Sequence, residues 1–216
     1  MIEINNISKQ FYRGAKVFTA LKDISCKIEK GEFCLVNGPS GAGKSTLLHI
    51  IGGLTHPDSG TVLYNGTDLY RQSSRYIDQY RKKCLGFMFQ QFHLMPYLTV
   101  NENIKLACYE KKHLENIDFY LEKCLLSDMK HKYPSELSVG EKQRTAFIRA
   151  IIAGPELLLA DEPTGNLDPV NSKILMGLFK EFNDKKGTVV LVSHDTGMSD
   201  YGNRKIFLEK GMIKQS

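Results

Sequence analysis

Apolar residues recur at strand-like intervals in the first part of the chain and at helical intervals through its middle. Ile2, Ile4 and Ile7 predict a short N-terminal strand, followed by Phe11, Tyr12 and a glycine-containing turn. A second extended stretch covers about 17–28, and Lys30-Gly31 turns the chain into an unbroken apolar strand over 33–36. The early strands predict an antiparallel lobe. The unbroken run predicts a strand of a different, mostly buried sheet. Leu47, Leu48, Ile50 and Ile51 then mark a helix that Gly52-Gly53 ends, and 62–64 with Asn65-Gly66 read as a hairpin returning to the antiparallel lobe.

The stretch 69–83 is polar and charged, which predicts one exposed helix before an apolar strand at 85–89. Residues 101–133 read as helices, with Leu121, Leu125 and Met129 at i, i+4 and i+8 forming one apolar face. A helix over 137–153, a strand at 157–160, a helix at about 171–183 and a strand at 188–192 follow, and short strands at 206–208 and 212–214 finish the chain. The expected fold class is α/β, with a mostly parallel core sheet, an N-terminal antiparallel β lobe and an inserted helical lobe.

The 216 residues suit one domain, and the net charge of +5 is spread along the chain, with only short pairs such as Lys82-Lys83. A nucleic-acid footprint needs a denser basic stripe, so no nucleic-acid partner is expected. Five cysteines in odd number, with no C-x-x-C pair, argue against a disulfide framework and predict buried thiols in a reducing compartment. The start, MIEINNISK, has no secretory pattern, and no apolar run approaches a membrane span. Any membrane role must therefore come through a partner. The histidines show no zinc-site spacing.

Between the 33–36 strand and its helix lies GPSGAGKST: Gly38, Pro39, Ser40, Gly41, Ala42, Gly43, Lys44, Ser45 and Thr46. It fits G-x-x-x-x-G-K-[ST] in the strand–turn–helix context that gives the motif meaning. Glycines let successive N–H groups turn toward phosphate oxygens, and the helix N-terminus adds partial positive charge. Lys44 would reach the β- and γ-phosphates, Ser45 would ligate Mg²⁺, and Thr46 would bond an α-phosphate oxygen. A glycine turn that binds nothing has no reason to place the lysine beside the hydroxyls.

The 157–160 strand delivers Asp161 and Glu162 at its carboxyl end, where open parallel sheets place ligands. Asp161 would hold Mg²⁺, and Glu162 would orient or polarise an attacking water. Two adjacent carboxylates fit water attack better than transfer to a second substrate, so the pattern reads as a hydrolase. Two solvated acids ending a strand would look the same in isolation. The phosphate loop in the same domain separates the two readings.

With LSVGEKQR added, the chain resembles the ATP-binding subunits of ABC transporters over essentially its whole length. The motifs come in order: the phosphate loop, a glutamine loop at Gln90, the signature LSVGE at 137–141, LLLADE, a D-loop ending at Asp168, and a switch histidine, His194, in Ser193-His194-Asp195. The phrases LLHIIGGLTHPDSG, GFMFQQFHLMPYLTVNENI and LLLADEPTGNLDP are most similar to the branch serving lipoprotein release and macrolide or peptide export. The cell-division ATPase is also similar. The resemblance implies a RecA-like core with the β lobe (about 1–90 and 155–216) and a helical lobe with the signature (about 91–154).

It also implies roles. ATP and Mg²⁺ would be bound, with Phe11 stacking on adenine, although Tyr12 is a second candidate and either could be a core aromatic. Gln90 would sense Mg²⁺ and the lytic water, with Gln91 beside it left open. His194 would bond the γ-phosphate. Ser138 and Gly140 would meet the γ-phosphate of ATP held by a second copy of the chain, and Asp168 would act across that interface. Ser138 as a plain helix cap and Asp168 as a plain turn residue remain the alternatives. Val139 stands where the family has glycine, and its β-branch disfavours positive φ. Activity is therefore expected to survive and closure to be altered.

The apolar stretch 92–98, with Phe92, Leu94, Met95, Pro96, Tyr97 and Leu98, either caps the core or receives an integral membrane subunit. Docking is the favoured reading. It would hold the chain as a peripheral protein on the cytoplasmic face of the membrane. A mechanical signalling subunit that moves no substrate would use the same motor.

Overall fold

The computed structural model describes residues 1–14, 16–194, 198 and 200–214. The chain opens with β1 (Ile2–Arg13), β2 (Lys16–Ile28) and β3 (Phe33–Asn37), then α1 (Lys44–Ile51), β4 (Ser59–Tyr64) and β5 (Thr67–Asp68). Strands β2, β1, β4 and β5, in that order, form the antiparallel sheet. β1 is longer than the apolar pattern predicts, because its pairing with β2 slips between Ile4 and Ile7 and again around Lys9. Asn6 takes φ 51° within that slip. The extra residue is why the inward isoleucines fall at 2, 4 and 7 rather than at strict alternation. Asn65 (φ 48°) and Gly66 (φ 82°) make the expected β4–β5 turn.

The predicted exposed helix over 69–83 is two pieces. A 3₁₀ turn over Leu69–Arg71 starts at the Asp68 cap, and Ser73 caps α2 (Ser74–Lys83). Leu69, Ile77 and Tyr80 are buried, and Tyr80 Oη donates to Ile51 O at the end of α1 (2.9 Å). After β6 (Leu85–Met88) come α3 (Val100–Lys105), α4 (Lys111–Glu115), α5 (Ile117–Lys123) and α6 (Val139–Ile151). The expected face of Leu121, Leu125 and Met129 does not form. α5 stops at Lys123, Leu125 takes φ 55° and lies 68% exposed, and only Leu121 is fully buried. Leu125 occupies the left-handed position after a helix that glycine usually fills.

β7 (Leu157–Asp161), α7 (Pro169–Asp184), β8 (Thr188–Ser193), β9 (Arg204–Glu209) and β10 (Met212–Lys214) complete the chain. The core sheet runs β10-β9-β3-β8-β7-β6, parallel from β9 to β6 with β10 antiparallel at one edge. Strand parity sorts its side chains onto two faces. Cys34, Val36, Leu157, Leu159, Val190 and Val192 pack against α1 and the antiparallel lobe. Phe33, Leu35, Leu158, Ala160, Val189 and Leu191 pack against α6, α7 and the helical segments. Burial on both faces explains the unbroken apolar runs. Cys34 and Cys124 are buried, the other three cysteines are half-buried, and all five are free. Burial pushes the Cys26 thiol up to about 11 and those of Cys34 and Cys124 to about 12, so these three stay protonated at neutral pH.

Candidate active site

Three adjacent strands bring their carboxyl ends to one level. Asn37 lies beside Ser193 and Asp161 beside Val192, so Gly38, His194 and Glu162 leave the sheet together. The loop 38–46 is pressed from two sides. A Cβ on Gly38 (φ 154°) would lie 2.0 Å from Leu208 O on β9, and one on Gly43 (φ 99°) would lie 2.2 Å from Ala20 O on β2. Ala42 O accepts from Gly211 N (3.1 Å), and Gly211 O accepts from Lys22 N (2.8 Å), so the β9–β10 turn closes the loop from behind. Only glycine fits such contacts in left-handed backbone. Pro39, Ser40 and Gly41 form an exposed rim, and Thr46 on α1 is half-buried.

Lys44 is buried, and its Nζ donates to Gly38 O (2.8 Å) and Pro39 O (3.0 Å) inside the loop. Ser45 Oγ donates to Asp161 Oδ1 (3.0 Å). Burial pushes the Asp161 carboxyl above its ordinary value, against the Ser45 hydrogen bond and the nearby His49, which lower it. A desolvated carboxylate beside a hydroxyl is a pair of hard oxygen donors that suits Mg²⁺ shared with phosphates. These residues fit the ion.

Glu162 adopts φ 44°, rare for a side chain of that size, and its N–H donates to Val192 O (3.0 Å). The bend leaves its carboxylate at the centre of a cluster. Oε2 lies 3.1 Å from His194 Nδ1 and 3.5 Å from Gln90 Nε2, and Oε1 lies 3.9 Å from Lys44 Nζ. Of the two neighbouring glutamines, Gln90 is the one with this contact. Backbone strain of this kind persists only where the surrounding structure holds it. A cavity of about 700 Å³ opens beside Glu162 and His194, lined further by Gly165, Lys173 and Tyr201. Asp195 lies outside the described residues.

Phe11 is 44% exposed, with Lys9 Nζ 5.6 Å from its ring centroid. It shares a strand face with Lys9, whose cross-strand partner Leu21 abuts Gly43. Tyr12, one residue on, belongs to the opposite strand face.

The remaining predicted residues gather elsewhere. Ser138 caps α6: its Oγ accepts from Glu141 N (3.3 Å), and Glu141 Oε2 accepts from Ser138 N (2.7 Å) and Oγ (2.8 Å). The Ser138 backbone N–H, chief among these partners, holds the Glu141 carboxyl below its ordinary value. Val139 opens the helix and is not among the positive-φ residues, so the expected backbone conflict does not arise. Gly140 is buried. Asp168 caps α7 through Val170 N and Asn171 N (2.9 Å each). Among the described residues, no hydrogen bond or ion pair joins Ser138, Gly140 or Asp168 to the loop 38–46.

The family model described as ABC transporter matches residues 21–165. This chain belongs to that family of ATP-binding subunits. The lipoprotein-releasing system ATP-binding protein LolD of Shewanella denitrificans is 39% identical across 100% of this chain and 95% of its own length. LolD of Buchnera aphidicola subsp. Schizaphis graminum is 43% identical across 90% of this chain and 88% of its own length. The dimeric cassette MJ0796 superposes with a TM-score of 0.93 at 34% identity, covering 100% of this chain and 97% of that one. A post-hydrolysis dimer of the same cassette holds ADP and Pi, with a TM-score of 0.92. The family binds adenine nucleotides and hydrolyses ATP. Among the described residues of this ABC subunit, no helix is long and apolar enough to cross a membrane.

Sequence reasoning missed four polar residues that tie the site's neighbouring segments to one another. Gln143 and Arg144 are buried on α6, Asn103 is buried on α3, and Asn171 follows the α7 cap. Gln143 Nε2 donates to Pro163 O (2.5 Å), directly after Glu162. The available signal was position: 140, 143, 144 and 147 share one helical stripe, and polar residues inside a buried stripe have partners.

Proposed function

We propose that the chain is the ATP-hydrolysing motor subunit of a membrane transporter. Two copies close head to tail on two ATP molecules and so drive a separate membrane subunit, at the cytoplasmic face, that extracts or exports lipoprotein-type cargo. The observation that carries the reading is the convergence of Lys44, Gln90 and His194 on the bent Glu162 carboxylate, beside the Ser45–Asp161 pair. Lys44 and the glycine loop would bind the phosphates. Ser45 and Asp161, with Gln90 nearby, would hold Mg²⁺, which neutralises phosphate charge when bound. Glu162 would orient the water, His194 would meet the γ-phosphate, and Phe11 would stack on adenine.

Ser138, Gly140 and Asp168 would complete the site from a second copy, since they lie apart from the first copy's loop. The dimeric MJ0796 cassettes support this arrangement. ATP favours the closed pair by contacts available only there. The LolD relatives support lipoprotein release as the task.

The membrane subunit would dock near 92–98. Arg149 on α6 donates to Phe92 O and His93 O (2.7 Å each), and the Asn103 amide bonds Met95 at both N and O and Leu98 at O. The loop is thus tied down by its backbone while Tyr97 stays 71% exposed. Tyr97→Glu should leave basal ATPase within twofold and abolish its stimulation by the co-purified membrane subunit. Unchanged stimulation would remove 92–98 as the docking site.

A further inference from the structure

Asn171 stands between the two parts of the chain assigned to the partner's nucleotide. Its Nδ2 donates to Asp168 Oδ2 (2.5 Å) and its backbone N–H to Asp168 Oδ1 (2.9 Å). Those bonds, backbone first, hold the Asp168 carboxyl below its ordinary value. On its other side, Asn171 Oδ1 accepts from Arg144 Nη1 (2.6 Å) on α6. Arg144 is itself buried and anchored, with Nε donating to Cys124 O (2.9 Å) at the end of α5. The same amide lies against Gly140: a Cβ there would sit 2.3 Å from Asn171 Oδ1 and 2.5 Å from Cγ. One side chain therefore fixes the Asp168 carboxylate and supplies the surface on which the start of α6 rests.

We infer that Asn171 is a positioning residue that locks the D-loop aspartate and the signature helix into one rigid unit, so that Ser138, Gly140 and Asp168 reach the second copy's nucleotide together. The inference rests on the ATP-sandwich reading above and adds the part that holds two of its elements in register. The geometry explains why an amide is needed. Its oxygen must accept from a guanidinium while its nitrogen donates to a carboxylate, and no other side chain of that length offers both. Serine is too short, and aspartate has no donor for Asp168. The chain Cys124–Arg144–Asn171–Asp168 also spans from the helical segments to the N-terminus of α7. A tilt of α6 would then carry Asp168 with it.

The test uses the full chain carrying Glu162→Gln, in which ATP should assemble a dimer without turning over. Size-exclusion chromatography across an ATP titration gives the ATP concentration for half-dimerisation, and a fluorescent ADP analogue gives monomer affinity. Adding Asn171→Ala should raise the half-dimerisation concentration at least tenfold and leave monomer affinity within twofold, because among the described residues the Asn171 side chain bonds Arg144 and Asp168 and no residue of the chain's own phosphate loop. Adding Asn171→Asp instead keeps an acceptor for Arg144 but sets a carboxylate against Asp168. That variant should keep its melting temperature and lose dimerisation to a similar degree, which a merely structural role would not do. If the Glu162→Gln parent forms no ATP-dependent dimer, the sandwich reading itself fails. If the parent dimerises and either Asn171 variant matches it, the sandwich reading stands and the role of Asn171 is refuted.

Discussion

Glu162→Gln exchanges one carboxylate oxygen for an amide nitrogen at the point where four side chains meet. The structural cost is small. The side chain is 18% exposed, and its Lys44 contact is a loose 3.9 Å, so losing that ion pair is worth roughly 1 kcal/mol or less. A glutamine can still face His194 Nδ1, now 3.1 Å from Oε2. The melting temperature should therefore move by no more than about 4 °C. The chemical cost is large, because an amide cannot take the proton of an attacking water. General-base assistance is worth about 10²–10⁴-fold in rate, roughly 3–5 kcal/mol of barrier. Phosphate release at saturating ATP should fall at least a hundredfold, with affinity for the ADP analogue kept within threefold. Turnover within threefold of the parent would show that Glu162 is not the key carboxylate. A large loss of nucleotide affinity would move it from the chemistry to binding.

Two further perturbations follow from the packing. Glu141→Gln weakens the cap on α6, where one carboxylate oxygen accepts from both Ser138 N and Oγ, and should cost about 0.5–1 kcal/mol at pH 7, or about 1–4 °C. Because the native carboxyl lies below its ordinary 4.5, that stabilisation is complete above 4.5 and is lost as pH falls through the lowered value. The gap between the melting curves of the two proteins should narrow as pH falls below 4.5 through the lowered value, and a gap that stays constant on acidification would assign the effect to shape rather than charge. Gly86→Ala places a Cβ 2.3 Å from Ala150 O, forcing α6 off β6 at about 1–3 kcal/mol, or about 2–12 °C in a circular-dichroism melt. An unchanged melt would mean α6 is free to shift.

The motifs of the phosphate site were legible because they depend on local chemistry, whereas the strand order was not: β8 stands between β3 and β7, which the sequence reading places side by side. Glycines at left-handed positions, a lysine after them and carboxylates ending an apolar strand carry their reasons within a few residues. What stayed hidden depends on distant partners. Asn171 looks like an ordinary residue of the first helical turn until Arg144, 27 positions earlier, is seen to donate to it. Leu125 fits an apolar helical face by spacing, yet the helix ends before it without any glycine to announce the stop. Val139 raised a steric objection that depended on a positive φ the backbone does not adopt. Asn103 reads as a polar helix residue, and only its four loop contacts reveal why it is buried.

The pressure of Leu208 and Gly211 on the phosphate loop has a consequence for the order in which the protein comes into being. Both neighbours of β3, β8 and β9, come from the last thirty or so residues of the described chain. A ribosome finishes the glycine motif about 160 residues before it adds Leu208, roughly 8–32 s earlier at ordinary synthesis speeds. Throughout that interval the nascent chain carries a complete phosphate motif without the strand and turn that press on it. A fragment ending before 204 keeps all nine motif residues but lacks the strand and turn that brace them. Nucleotide binding should therefore depend on β9 and the β9–β10 turn as much as on the loop itself.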